Sequence, residues 1–273
     1  MNAKLRWFGL GAGSALAVVT LAGAVLLLGR FRAPPSPPSP SAVSHESQRE
    51  ERIRTNLLDA LVQRARVEIA SNEDEATLDL LLLSGGAQYG AFAAGVLEGW
   101  SASDAVPRPH FDLVTGVSAG AMLATSAFID RGEVYGSEVI EDLFVRAREA
   151  WSLDRPTAYL PWRASLLDPE PLRRAIEQST PPDALHRVAE EAKEGRRLLV
   201  MATNIELGRP TVWDLTTLVV GDDGRREEAY RERILASASL PPLFPPVEIE
   251  GALHADGGAS HVFFLGPRFD LLD

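Results

Sequence analysis

Three short clusters in this 273-residue chain hold the residue types that acyl or phosphoryl chemistry needs. The first is Gly116-Val117-Ser118-Ala119-Gly120. A G-x-S-x-G pattern between a strand and a helix bends the chain sharply, strains the serine backbone and lifts its Oγ clear of the sheet. The flanking glycines remove side chains that would clash inside the turn. The plainer alternative is a strand-to-helix turn whose serine caps the helix. The second cluster is Ser84-Gly85-Gly86-Ala87-Gln88-Tyr89-Gly90. Small residues at the start of a helix let backbone N–H groups approach a ligand, and the helix adds positive dipole. Such a loop suits a phosphate or a tetrahedral oxyanion. Ala87 breaks the strict dinucleotide fingerprint, and no G-K-[ST] follows, so a phosphate loop of that kind is excluded. The third is Ala255-Asp256-Gly257-Gly258. A carboxylate beside two glycines reads alone as a turn. Beside a serine elbow it becomes a candidate general base.

These clusters need elements to hold them. Leu78–Leu83 is almost wholly apolar and reads as a strand buried on both faces, running into the glycine loop. A helix is expected over 91–100, a strand over 111–117 and a helix over 118–129. Residues 137–150 read as a helix, and 151–168, with Trp151, Tyr159 and Trp162, as irregular. Further helices are expected from about Pro169, over 183–195 and over 226–238, with strands at 198–202 and 211–218. Residues 262–265 have the composition for one more strand. This alternation is that of an α/β domain with a largely parallel sheet.

The N-terminal part is different. Phe8–Gly29 is an uncharged run of 22 residues flanked by Lys4, Arg6, Arg30 and Arg32. As a helix it would be about 33 Å long, enough to cross a hydrocarbon core of about 30 Å. It is expected to be a membrane anchor of undetermined sidedness, spanning residues 1–32 with its flanks. A cleaved signal peptide with export is the alternative. Residues 33–45, rich in Pro and Ser, read as an extended linker. Residues 46–75 read as an amphipathic helical lead-in with Ile53, Leu57, Leu61 and Val62 near helical spacing. Residues 76–273 form the expected folded domain.

Charge narrows the function. The chain carries 27 Lys+Arg against 38 Asp+Glu, a net −11. A nucleic-acid partner is excluded, because such binding rests on the opposite sign. The absence of cysteine removes disulfide scaffolds, thiolate metal sites and a cysteine nucleophile.

The three clusters, in this order, resemble the patatin-like phospholipase family over about residues 78–262. Ala236 to Pro246, ASASLPPLFPP, also resembles the proline-rich segment that precedes that family's aspartate. The resemblance implies a three-layer α/β/α sandwich with a mostly parallel central sheet. It implies hydrolysis of acyl esters in lipids by a Ser-Asp dyad through an acyl-enzyme, on a membrane lipid or another acyl ester. Ser118 matches the nucleophile and Asp256 the base. Gly85, Gly86, Ala87 and Gln88 match the oxyanion hole, with Gly90, Gly116, Gly120, Gly257 and Gly258 supporting the turns. No metal or organic cofactor is implied. Two positions depart from the family pattern: Ala87 stands for a third glycine, and Tyr89 for a basic residue. Only 15 residues, 259–273, follow Gly258, so a minimal or C-terminally shortened version of the fold is expected. His254 and His261 flank the third cluster and keep a Ser-His-Asp triad open. A catalytically silent family member that binds lipid or a protein partner is the rival reading.

Overall fold

The computed structural model describes residues 39–72, 76–103, 105, 107–129, 165, 168–219 and 224–266. The apolar run 8–29, the segment 137–150 and the aromatics Trp151, Tyr159 and Trp162 lie outside them. Among the described residues, no helix is long and apolar enough to cross a membrane.

Helix α1 spans Pro40–Asn72 and so begins inside the stretch expected to be extended linker. The physical reason is local. A proline in the first turn lacks only an N–H that the helix would leave unpaired anyway. Ser39 supplies the cap, its Oγ accepting from the Ala42 N–H at 3.1 Å. The helix buries Ile53, Leu57 and Ala60, whereas Val62 is exposed.

After α1 come β1 (Leu80–Leu83), α2 (Gly90–Ser101), β2 (Leu113–Val117) and α3 (Ala119–Ile129). Next are α4 (Glu170–Ser179), α5 (Pro182–Lys193), β3 (Arg197–Asn204) and β4 (Arg209–Asp214). Finally come α6 (Gly224–Ala238), β5 (Val247–Ile249) and β6 (Ala252–Asp256). All fall within one compact unit, Pro38–Asp273.

Among the described residues the sheet has six strands. β1, β2 and β3 are parallel neighbours, while β4 and β6 run antiparallel to β3, and β5 antiparallel to β6. β1, β2, β3 and β5 therefore share one direction, giving a mixed sheet of mostly parallel strands. Alternation along the strands serves two faces. Leu113 and Leu199 pack against Ile53 and Leu57 of α1. Val114, Leu198 and Val200 join the larger core with residues of α3, α4, α5 and α6. Helix, sheet and helices thus make three layers. Full burial of a leucine such as Leu57 contributes about 1.5–3 kcal/mol.

Three local expectations change. β1 is not covered on both faces: Leu80 and Leu82 are exposed, because α1 packs over β2, β3 and β4. Residues 262–265 form no strand. Their carbonyls instead take single bonds, Val262 O from the Gly85 N–H at 2.8 Å and Phe264 O from the Thr115 hydroxyl at 2.6 Å. The β5–β6 hairpin was not expected. Its two turn residues, Glu250 and Gly251, have φ of 54° and 79°, the geometry that joins antiparallel strands tightly.

Candidate active site

The site forms where two strands meet on one edge of β3. Val200 pairs with Gly116 of β2 and with Trp213 of β4. Ala202 pairs with Thr211 of β4 and with Asp256 of β6. A strand has two edges, so β2 and β6 share the edge opposite β4. β2 ends at Val117, opposite Met201, and β6 ends at Asp256, opposite Ala202. The antiparallel course of β6 points its last residue at the end of β2. Ser118 and Asp256, far apart in sequence, are thereby brought end to end.

Ser118 occupies the left-handed region with φ of 53°. For a non-glycine residue this costs roughly 1–2 kcal/mol, so surrounding contacts must hold it. Close packing around the turn also explains its glycines. A Cβ on Gly120 would lie 2.3 Å from the Leu83 carbonyl oxygen, and one on Gly116 2.7 Å from the Ala121 Cα. The Ser118 hydroxyl donates to Asp256 Oδ2 at 2.5 Å.

Asp256 is itself fixed on several sides. Its Oδ1 accepts from the Gly258 N–H at 2.7 Å. Its backbone N–H donates to the Ser239 carbonyl at 2.9 Å, and its carbonyl accepts from the Thr203 hydroxyl at 2.9 Å. A Cβ on Gly257 would meet the Met201 carbonyl oxygen at 2.3 Å, so only glycine lets β6 end this close to β3. Burial raises the Asp256 carboxyl above the ordinary carboxylate range, and the bonds from Ser118 and Gly258 oppose that shift. A carboxylate so raised is a better base near neutral pH than a free aspartate.

The glycine-rich loop lies beside Ser118: a Cβ on Gly85 would sit 3.2 Å from the Ser118 Cβ. The four donors expected there separate into two kinds. The Gly85 N–H is taken by Val262 O, because the returning segment after β6 covers the end of β1. That removes Gly85 from the set available to a ligand. The N–H groups of Gly86, Ala87 and Gln88 have no acceptor among the described residues. Ala87 has φ of 46°, and the 3-10 turn Ala87–Tyr89 leads directly into α2 at the buried Gly90. Tyr89 and Phe92 are exposed at 74% and 76%, an apolar rim beside the loop.

Neither histidine joins the pair. The His254 imidazole bonds the Ala252 carbonyl through Nδ1 at 3.0 Å and lies against Trp213. Burial holds it below its ordinary value, hence neutral. His261 is exposed, its backbone N–H donating to Gly257 O. Among the described residues, the hydroxyl of Ser118 bonds Asp256 and no imidazole. No group of three or more His, Asp or Glu is placed among them to hold a metal ion.

Sequence reasoning missed Ser237. Its buried hydroxyl accepts the Ser118 N–H at 2.9 Å and donates to the Met201 carbonyl at 2.7 Å.

A three-layer α/β domain with a serine elbow facing a buried aspartate defines a hydrolase-type architecture. The patatin-like phospholipase family matches residues 81–266, more than half of the chain, and the chain belongs to that family of lipid acyl hydrolases. Among solved structures it is similar to VipD from Legionella pneumophila, at 14% identity with a TM-score of 0.32. That match covers 71% of this chain and 47% of the other, so the chain spans about half the length of that protein. No curated protein matches the chain.

Proposed function

We propose that the domain hydrolyses lipid acyl esters with Ser118 as nucleophile and Asp256 as base. The observation that carries this is the 2.5 Å bond from the Ser118 hydroxyl to a buried carboxylate. The N–H groups of Gly86, Ala87 and Gln88 beside it, without an acceptor among the described residues, support the same reading.

In this reading the Ser118 oxygen attacks the ester carbonyl while its proton passes to Asp256 Oδ2. The carbonyl oxygen becomes an oxyanion, and the N–H groups of Gly86, Ala87 and Gln88 are the donors that would receive it. Loss of one such donor costs about 10²–10³ in rate elsewhere. Collapse of the tetrahedral species expels the alcohol, which takes the proton from Asp256. An acyl group remains on Ser118. Water then attacks that acyl carbon, gives its proton to Asp256, and the fatty acid leaves as the serine recovers the proton. The exposed Tyr89 and Phe92 favour an apolar substrate. Tyr89, uncharged where the family usually has a basic residue, gives no attraction to an anionic head group. The run 8–29 would hold the domain at a membrane, and retention on membranes after high-salt washing tests this.

The test is fatty-acid release from phospholipid and neutral-ester vesicles by the full chain. Ser118→Ala is expected to lower the rate by about 10⁴-fold or more. Residual hydrolysis near the wild-type rate would assign the chemistry to another group.

A further inference from the structure

The geometry points to Ser237 as the positioning residue that holds the nucleophile elbow in its strained conformation; this rests on the hydrolase reading of Ser118. The need for such a residue follows from the sheet. β2 leaves the edge of β3 opposite Met201, and β6 arrives opposite Ala202. Where one strand stops and another begins, the ladder is interrupted. The Ser118 N–H, just beyond β2 and turned by its φ of 53°, has no backbone acceptor among the described residues, and the Met201 carbonyl lies where β2 gives way to β6. Buried backbone groups in that position destabilise the fold if left unpaired.

The Ser237 hydroxyl fills that gap. It has one donor and spare acceptor capacity. It accepts from Ser118 and donates to Met201, so one atom satisfies both groups. Ser237 itself is fully buried near the C-terminal end of α6. Two residues on, the Ser239 carbonyl accepts the Asp256 N–H at 2.9 Å. The end of α6 therefore grips the backbone of both members of the pair. Ser237 bonds the Ser118 backbone N–H and not its side-chain oxygen. Its effect on Ser118 Oγ passes through the backbone.

The test uses the full chain carrying Ser237→Ala, with Ser237→Cys as a second variant. Sulfur fills the pocket but is a poor partner for both bonds, so Ser237→Cys keeps the question open if the alanine variant does not fold. Thr125→Val is the control: it removes another buried hydroxyl, bonded to Tyr230 at 2.8 Å and about two turns along α3 from Ser118. Two readouts are taken. The first is the rate of reaction with a fluorophosphonate, with kcat and KM on an ester. The second is hydrogen exchange at the Ser118 amide, which needs no activity.

Both Ser237 variants are expected to slow fluorophosphonate reaction and kcat by about 10–10²-fold, the range a misplaced reacting group produces. KM stays unchanged and the Ser118 amide exchanges faster. Thr125→Val leaves reaction rate and that amide unchanged. A folded Ser237 variant with wild-type kcat, or with unaltered Ser118 exchange, overturns the proposal. If the wild-type chain itself does not react, the hydrolase reading fails, and the exchange measurement alone decides whether Ser237 holds the elbow.

Discussion

Two turns in this molecule look alike in sequence and differ in structure. Both lead from a strand through small residues into a helix. In the elbow after β2, the glycines are dictated by crowding: added Cβ atoms would meet backbone at 2.7 Å or less at Gly116 and Gly120. In the loop after β1, a Cβ on Gly86 would meet only the Tyr89 Cβ, at 3.4 Å. The elbow's strained residue, Ser118, has its amide bonded by Ser237. The loop's strained residue, Ala87, has no such partner for its amide among the described residues. Small residues therefore serve opposite ends: in one turn they permit packing, in the other they leave N–H groups open to a ligand. A nucleophile needs the first and an oxyanion the second.

The contrast breaks most sharply at Gly120. Gly120→Ala forces a methyl group against the Leu83 carbonyl at 2.3 Å. Overpacking of this kind costs about 1–3 kcal/mol and occasionally more, and backbone cannot rotate away. The variant is expected to melt well below wild type or not fold, read by thermal denaturation. Gly86→Ala has room. It is expected to fold with a near-native melting point yet lose up to about 10²-fold in ester hydrolysis, because a methyl group narrows the approach to the open N–H groups. Loss of the fold in Gly86→Ala, or its retention in Gly120→Ala, would erase the distinction.

Asp256 sharpens the comparison through pH. Burial raises its carboxyl above the ordinary range, so the folded protein holds that proton more tightly than the unfolded chain does. Stability from this group is complete below the unfolded value of about 3.9 and is lost as pH rises through the folded value. Asp256→Asn is therefore expected to gain stability relative to wild type as pH rises from acid to neutral. Ester hydrolysis by wild type should fall on acidification at a pH above the free aspartate range. Melting curves of both proteins across pH, beside the rate profile, check this.

The smallest effect is expected at Ala87. Glycine relieves a left-handed alanine at φ 46° but adds unfolded-state freedom worth about 0.4–1 kcal/mol. Ala87→Gly should change the melting point little and leave the hydrolysis rate close to wild type.

Much of this was legible in the sequence where the signal is local. Ser118, Asp256 and the glycine loop stand out because turns demand particular residues at fixed spacing. The α/β class with a largely parallel sheet follows from apolar runs alternating with helical periods, and the three layers only from the family resemblance. What escaped depends on distant segments meeting. Ser237 is one buried serine in a helix, and nothing nearby reveals that its hydroxyl reaches β2 and β3. Gly85 looks like its neighbours until the chain after β6 returns to occupy its N–H. The β5–β6 hairpin did leave a trace, Glu250-Gly251 between short apolar runs, that a closer reading of turn chemistry would have caught. The early start of α1 was hidden by prolines that suit a linker and a helix N-terminus equally well.

The most direct test of the dyad is mass mapping of a fluorophosphonate adduct on the full chain at neutral pH. Wild type is expected to carry the adduct on the peptide containing Ser118. Asp256→Asn should react about 10²–10⁴-fold more slowly, the usual contribution of a positioned base. A wild-type chain left unmodified, or an Asp256→Asn variant that reacts at the wild-type rate, would contradict a Ser118–Asp256 dyad.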